Sequence, residues 1–231
     1  MHAVTNTLQS AAHAPVLGQL RLWGGQTTRL KDQSHLFWRF MPFENLYLVI
    51  SGALKAYNVD TQGHERIRGF HFPGDLVGLD GIATGRHHCN AMALDGALVQ
   101  HVPFTQLTNL MTRGSHTSAE LFRWISGEIL AASQLASDYP AEQRVARFLL
   151  EMARKAPDPV WPNRVHLIMS RYDIGNYLRM ATETVSRNLT RLSREGLITA
   201  RGRDIDLLDM DALRRLAEPV PHSQGRDEPR P

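Results

Sequence analysis

The stretch that decides the fold of this sequence is SRYDIGNYLRMATETVSRNLTRLSREG, residues 170–196. Ser170 has a hydroxyl that can accept a hydrogen bond from the first turn of a helix, and Asp173 stands where a capping box places its acid. This pair predicts a helix over residues 171–178, followed by a tight turn over residues 179–181. The positions that this helix buries are Ile174 and Leu178.

A second helix is predicted over residues 182–195, because its apolar residues recur every three or four positions. Gly196 then supplies the residue type that commonly ends a helix. Two short helices joined by a tight turn form a helix-turn-helix, whose second helix enters the major groove of DNA with its amino-terminal residues against base edges. The inward face of this second helix consists of Val185, Leu189 and Leu192.

The outward face of the second helix carries Glu183, Ser186 and Arg187, which we predict to read bases. A guanidinium donates two hydrogen bonds to guanine, a carboxylate accepts one from cytosine, and a hydroxyl suits either role. The alternative is a solvated surface helix whose Glu183–Arg187 pair is worth only about 0.3–0.5 kcal/mol. Residues predicted to contact the DNA backbone from the two helices are Ser170, Arg171, Thr182, Thr184, Thr190 and Arg191.

Beyond the second helix, residues 197–210 read LITARGRDIDLLDM, which predicts two strands around Arg201-Gly202-Arg203. Such a hairpin is a wing, and Arg201 and Arg203 at its tip are predicted to reach phosphates. A helix, a turn, a second helix and a wing in this order favour DNA binding over a merely charged surface.

The distribution of charge also favours a nucleic-acid partner for the carboxy-terminal third. The sequence has 26 Lys+Arg and 23 Asp+Glu, a formal net charge of +3. Residues 139–203 hold 12 Lys+Arg and 6 Asp+Glu, which leaves 14 basic and 17 acidic residues elsewhere. This asymmetry is expected of a domain that neutralises phosphates beside one that does not.

Composition excludes several classes of protein. Hydrophobic residues at 42% and charged residues at 21% are ordinary globular values. No stretch of about 18 apolar residues and no secretory signal is seen, so neither a membrane span nor export is expected and the cytoplasm is the predicted location. The single cysteine, Cys89, excludes a disulfide framework within the chain.

Short runs of β-branched and aromatic residues separated by glycine turns predict strands in the amino-terminal half. Many short strands in succession favour a β-sandwich or roll over βαβ units. The predicted strands are LYLVI (46–50), ALKAYNV (53–59), RIRGFHF (66–72) and ALVQHV (97–102).

Residues 115–138 predict one long amphipathic helix, because their apolar side chains form a stripe at helical spacing. Either the roll or the same helix of a second chain can cover this stripe. A further helix is predicted after Asp138 as its cap, with Pro140 in its first turn. The stripe consists of Leu121, Trp124, Ile125, Glu128, Ile129 and Ala132, and the following helix buries Val145, Phe148, Leu149 and Met152.

The motifs DIGNYL (173–178), ETVSR (183–187) and SREGLI (193–198) resemble the winged-helix end of the CRP/FNR family of bacterial transcription regulators. Residues 51–88 resemble the cyclic-nucleotide-binding-type β-roll of the FNR branch, and the resemblance covers about residues 40–215. It implies a homodimer joined through the apolar stripe and two recognition helices in successive major grooves about 34 Å apart. The operator is then a two-fold symmetric site.

The fold implied by the resemblance is α+β. It comprises a β-roll over residues 1–114, a long dimerisation helix over residues 115–138 and a winged helix-turn-helix over residues 139–218. Residues 1–20 are expected to form a flexible arm of the roll, and residues 219–231, with four prolines, a disordered tail.

The family also implies partners for specific residues. Its E-x-x-S-R motif, which falls on Glu183, Ser186 and Arg187, reads a half-site of the TTGAT type. A turn of its roll contacts RNA polymerase, and His64 stands where FNR has an acid. The family as a whole, and not this turn, implies an activator of genes for low-oxygen or nitrogen-oxide respiration. The corresponding turn residues are Asp60, Thr61, Gln62, Gly63, His64 and Glu65.

The signal that controls the protein is left open by the sequence. An iron–sulfur cluster is excluded because it needs about four thiolates and the sequence has one. Cyclic AMP is disfavoured because GRHHCNAM, residues 85–92, replaces the Arg-Ser pair that holds the cyclic phosphate in CRP-type proteins. Haem stays open with His71, His87 and His88 as candidate ligands, although the last two should point to opposite faces of a strand.

Two other functions remain as alternatives at this stage. One is a cupin-like metal-binding enzyme with the roll histidines as ligands, and the other is a regulator with no ligand that is controlled by its abundance. The pattern of histidines predicts no defined metal site.

Overall fold

The computed structural model describes residues 25–113, 118–119, 122–123, 125–127, 129–130, 139–158 and 160–218. The predicted arm over residues 1–20 and the predicted tail over residues 219–231 lie outside the described residues.

The amino-terminal half is a roll of two four-stranded antiparallel sheets. The strands are β1 (Thr27–Leu30), β2 (His35–Phe37), β3 (Asn45–Ser51), β4 (Leu54–Val59), β5 (Glu65–His71), β6 (Leu76–Val77), β7 (Asn90–Ala93) and β8 (Ala97–Pro103). One sheet has the order β1-β8-β3-β6 and the other β2-β7-β4-β5. The four predicted strands are confirmed as β3, β4, β5 and β8, each within one residue of its predicted bounds.

Apolar side chains from both sheets pack between them and form the core of the roll. A tight β3–β4 turn brings the sheets together, and it requires glycine at position 52. The backbone φ there is 78°, and a Cβ atom would lie 2.2 Å from the carbonyl oxygen of Gly96. Below the first sheet lies helix α1 (Phe104–Arg113), whose Leu107 is buried against β3 and β8.

The carboxy-terminal part contains four further helices and a small sheet. The helices are α2 (Ala141–Lys155), α3 (Arg171–Tyr177), α4 (Thr182–Arg194) and α5 (Met210–Ala217). The strands are β9 (Arg164–His166), β10 (Ile198–Arg201) and β11 (Asp204–Leu207), in the order β10-β11-β9. The predicted helix-turn-helix is confirmed as α3 and α4, and the predicted hairpin as β10 and β11.

The start of α2 differs from its prediction. Pro140 is the residue before the first helical position and not a member of the first turn, while Asp138 lies outside the described residues. Proline suits this boundary because its fixed φ and missing N–H cost little there. The predicted buried face is confirmed, with Val145, Phe148, Leu149 and Met152 all in the core.

The predicted long helix is described only in part. Residues 118–119, 122–123, 125–127 and 129–130 have helical backbone. Ile125 packs against the roll, whereas Phe122 and Ile129 are 63% and 62% exposed. Residues Leu121, Trp124, Glu128 and Ala132 of the predicted stripe lie outside the described residues. No helix in the described part of the chain is long and apolar enough to cross a membrane.

A single hydrophobic core joins the roll to the carboxy-terminal helices. The ring centroids of Phe70 and Tyr177 are 5.1 Å apart, and those of Phe148 and Tyr177 are 6.0 Å apart. Strand β4 is consequently buried on both faces: Leu54 and Ala56 point into the roll, while Tyr57 packs against the helices. The two parts therefore have a fixed relative placement in this structure.

Candidate nucleic-acid interface

The first helix of the helix-turn-helix begins with the predicted capping box. The Asp173 amide donates to Ser170 Oγ at 3.0 Å, and the Ser170 amide donates to Asp173 Oδ2 at 3.2 Å. Each residue thus satisfies an amide that the helix cannot satisfy itself. The Ser170 hydroxyl also donates to the Asp173 carboxylate at 2.6 Å, so this predicted phosphate contact already has an internal role.

The turn between α3 and α4 packs closely against α3. The Met180 amide donates to the Gly175 carbonyl at 2.9 Å, and a Cβ atom at Gly175 would lie 2.8 Å from the Met180 carbonyl oxygen. Only glycine permits this approach. From α2, Arg144 donates through Nη1 to the Leu178 carbonyl at 2.7 Å, which braces the turn from its inner side.

Helix α4 buries one face and exposes the other. Val185, Leu189 and Leu192 are buried in the shared core. All three predicted base-reading side chains, Glu183, Ser186 and Arg187, are exposed. The residue before the helix is Ala181, which has no side-chain oxygen to cap the first amides. The amino-terminal end of α4 therefore keeps amide donors for an anion such as a phosphate.

The exposed polar side chains of α4 make hydrogen bonds to other groups of the same helix. Arg187 donates to Thr184 Oγ1 at 3.2 Å, Ser186 donates to the Thr182 carbonyl at 3.2 Å, and Thr190 donates to the Ser186 carbonyl at 3.0 Å. These contacts are long and solvent-exposed, so exchanging them for contacts with DNA costs little.

The wing presents its two predicted arginines at the surface. Gly202 between β10 and β11 has φ 64°, and Arg201 and Arg203 on either side are exposed. Arg203 donates to the Ile168 carbonyl at 3.2 Å. Arg171 donates to the Gly202 carbonyl at 2.7 Å and so ties the wing to α3.

Two of the predicted backbone-contacting residues have structural partners that the sequence did not indicate. Arg171 is half-buried, and this burial lowers its pKa. Arg191 lies 3.1 Å from Glu142 of α2 and 2.9 Å from Glu195, so it braces α4 against α2. Both guanidiniums stabilise the domain in this structure, whatever they contact in a complex.

A buried lysine of the roll links it to the helix-turn-helix, which sequence reasoning missed entirely. Lys55 on β4 lies 2.5 Å from Glu65 and 3.1 Å from Asp173. Burial by itself would lower the pKa of Lys55, but the hydrogen bonds and charges of both carboxylates raise it. Next to it, Asn176 accepts from the Ile67 amide at 2.8 Å and donates to the Glu65 carbonyl. Helix α3 is thus fixed to the β4–β5 hairpin.

The turn predicted to contact RNA polymerase is a hydrogen-bonded surface loop between β4 and β5. Asp60 Oδ1 accepts from the amides of Gln62 and His64 at 2.9 Å each, and these bonds lower the pKa of Asp60, the His64 bond most. Gly63 at φ 84° closes the turn. Residues 61–64 are exposed, so this surface is available to a partner.

The three candidate haem ligands are not brought together. His87 is 1% exposed and stacks on Phe37 with ring centroids 3.6 Å apart, whereas His88 is exposed with Nε2 2.7 Å from Thr84 Oγ1. One of the two neighbours is buried and the other exposed, but the predicted strand is wrong here, because both lie in the loop before β7, which begins at Asn90. His71 is buried on β5. A haem ligand needs an imidazole nitrogen that faces an open pocket, and the His87 ring is instead enclosed by the core of the roll, so His87 does not fit this role in the structure.

The described residues also form no metal-binding cluster, and their one cysteine is buried. They contain no group of three or more His, Cys, Asp or Glu placed to hold a metal ion. Cys89 is buried, and burial followed by the nearby Asp80 carboxylate raises the pKa of its thiol. A thiol in this environment stays protonated and unreactive.

Comparison with known families identifies the two halves. Residues 27–113 match the sequence profile of the cyclic nucleotide-binding domain, and residues 143–216 match that of the Crp-like helix-turn-helix domain. These ranges coincide with the roll together with α1 and with the helices and wing described above.

Similar proteins of known role and structure agree with this division. The fumarate and nitrate reduction regulatory proteins of Escherichia coli K12 and Salmonella typhimurium are each 38% identical over 178 residues, 75% of this chain and 71% of theirs. The structure of FixK2 from Bradyrhizobium japonicum has a TM-score of 0.76 at 30% identity, over 85% of this chain and 98% of that one. TTHB099 of Thermus thermophilus, a CRP-family regulator, has the same fold at 24% identity and a TM-score of 0.66, over 82% and 96% of the chains.

Proposed function

The chain belongs to the CRP/FNR family of transcription regulators, and from this premise we propose that it binds a palindromic TTGAT-type site as a homodimer. DNA binding by its helix-turn-helix domain and a role in transcription follow from the family. The choice of sequence, the oligomeric state and the response are our proposals.

The observation that carries the sequence preference is the exposed face of α4. Its acid, hydroxyl and guanidinium project from the first turns of the helix, beyond an uncapped amino-terminal end. In a helix-turn-helix these turns approach the base edges. Arg187 pairs with a guanine, Glu183 accepts from a cytosine, and Ser186 serves a neighbouring base.

The proposed dimer contact is formed by the described helical residues 118–119, 122–123, 125–127 and 129–130. Phe122, Ile129 and Leu130 are all more than half exposed in the single chain, although their side chains are large and apolar. A second copy of the same helix would remove these side chains from water. A two-fold axis along this segment would present two copies of α4 to one face of DNA.

We further propose that the protein is cytoplasmic and activates genes for low-oxygen or nitrogen-oxide respiration. The named role of the relatives in fumarate and nitrate reduction supports this, and the exposed Asp60–Glu65 turn offers a surface for RNA polymerase. One buried cysteine argues against an iron–sulfur sensor, and the 85–92 segment argues against cyclic AMP. We therefore propose that the protein responds to a signal other than these two, or that its abundance alone controls its activity.

Selection of bound sites from random duplexes tests the half-site and its symmetry together. Wild-type protein should enrich inverted TTGAT-type half-sites. Arg187→Ala should lose about 1–3 kcal/mol of discrimination at one guanine in each half-site, because one bidentate contact is removed. Arg203→Ala is the matched control: it also removes one arginine, and it should weaken binding to all sequences alike.

Two results would contradict the proposal. Enrichment of a single unpaired half-site would argue against the symmetric dimer. Unchanged selectivity in Arg187→Ala would show that the exposed face of α4 is not the reading face.

A further inference from the structure

Arg179, in the turn of the helix-turn-helix, has a backbone conformation that suits glycine. Among the described residues, three non-glycine residues have positive φ, and Arg179 is one of them at 54°. A Cβ atom is unfavourable in this region, and helix-turn-helix turns often contain glycine. Such strain persists when the surroundings fix the conformation, and it is frequent at functional positions.

The surroundings do fix this turn. The Arg179 amide donates to the Asn176 carbonyl at 3.2 Å, and the amide of the next residue, Met180, donates to Gly175. On the other side Leu178 is buried and its carbonyl is held by Arg144. With both neighbours turned toward the core, the side chain of Arg179 can only point outward, and it is exposed.

Within the described residues, the Arg179 guanidinium makes no hydrogen bond or ion pair with another side chain. This distinguishes it from Arg171 and Arg191, which are engaged with Gly202, Glu142 and Glu195. A free guanidinium on a strained, rigid turn keeps its donors for an external anion.

The position of this turn relative to DNA follows from the helix-turn-helix geometry. The second helix inserts its amino-terminal end into the major groove while the first helix crosses the backbone, so the connecting turn lies at the rim of the groove. We propose that Arg179 binds a phosphate at this rim and is a further DNA-contacting residue. The inference rests on the proposed mode of DNA binding.

Arg179→Gly separates this role from folding. Glycine accepts φ near 54° without strain, so the variant should melt no lower than wild type. Its affinity should fall for operator and random duplexes alike, and the plot of log affinity against log salt should become shallower by about one. Arg179→Lys keeps the charge and the backbone strain, and it should retain the wild-type salt slope.

Arg215→Ala is the matched control for loss of one charge. Arg215 is exposed on α5, which packs against α2 and lies outside the turn of the helix-turn-helix. Removing its charge should therefore leave the salt slope unchanged. The inference is overturned if Arg179→Gly keeps wild-type affinity and slope, or if Arg215→Ala loses as much.

The two proposals fail in different ways. If Arg187→Ala still alters base preference while Arg179→Gly changes nothing, only the role of Arg179 is wrong. If wild-type protein shows no sequence preference at all, the proposed reading of DNA is wrong, and the inference about Arg179 fails with it.

Discussion

The Asp80 carboxylate organises the segment in which the sequence suggested ligand histidines. Asp80 Oδ2 accepts from the amides of His88 at 2.6 Å and Cys89 at 2.9 Å, and Oδ1 lies 3.6 Å from His87 Nδ1. Burial would raise the pKa of Asp80, but the nearby His87 imidazole and the hydrogen bonds from Cys89 and His88 lower it to about 2. At the scale of single residues, the histidine-rich segment is thus a loop of the roll whose backbone is held by the Asp80 carboxylate.

Asp80→Asn should lower the free energy of unfolding at pH 7 by about 1–2 kcal/mol, allowing for partial solvent screening. Because the folded pKa lies below the usual value of 3.8, the wild-type advantage is complete above about pH 5 and is lost as the pH falls toward 2. Urea denaturation across this range measures the difference. The exposed Asp32→Asn is the control, and equal stability of Asp80→Asn and wild type at pH 7 would refute the stabilising role.

At the scale of elements, the contact between β4 and α3 determines where the helix-turn-helix sits. Lys55 is only 5% exposed and lies between Glu65 and Asp173. Asp173 therefore has two functions, since it also caps α3. Glu65 ends the turn proposed to contact polymerase, so ionic contacts run from that turn through Lys55 to Asp173 of α3.

A double-mutant cycle on Lys55→Met and Asp173→Asn tests this contact. Lys55→Met should destabilise by about 3 kcal/mol, because it leaves the buried carboxylate of Asp173 and the half-buried one of Glu65 without their cation. The coupling energy between the two substitutions should be about 1–3 kcal/mol, measured by chemical denaturation. The exposed Arg214–Asp211 pair should show less than about 0.5 kcal/mol of coupling. Additive effects at Lys55 and Asp173 would mean that the salt bridge does not hold the elements together.

At the scale of the whole molecule, the shared core around Phe70, Phe148 and Tyr177 joins the roll to the DNA-binding helices. Through this core the structure sets the direction of α4 relative to the roll, against which Ile125 of the predicted dimerisation helix packs. In the proposed dimer the distance between the two recognition helices is then also fixed. The operator must match that distance.

Inserting about 5 bp between the half-sites should reduce affinity to that of a single half-site, because it rotates one half-site by about half a turn of DNA. A spacer of unchanged length with altered bases is the control and should keep most of the affinity. Gel-shift titration measures both. Full affinity for the lengthened site would show that the two helices are not rigidly related.

Local patterns were enough to predict the helix-turn-helix, the wing and four strands of the roll. The capping box of Ser170 and Asp173 and the spacing of Val185, Leu189 and Leu192 are properties of neighbouring residues, which act before any distant contact forms. Strands β1, β2, β6 and β7 were missed because two to four residues have too little pattern, and pairing with distant strands defines them.

The sequence by itself determined the family, through the resemblance of DIGNYL, ETVSR and SREGLI, and also the exposed face of α4 and the single cysteine. Motifs, periodicity and composition need no knowledge of distant neighbours. Only the tertiary structure placed Lys55 between Glu65 and Asp173, tied Arg171 and Arg191 to internal partners, and showed the positive φ of Arg179, whose side chain is exposed. These contacts join residues up to 118 positions apart, and which charges meet across such a distance depends on how the whole chain packs.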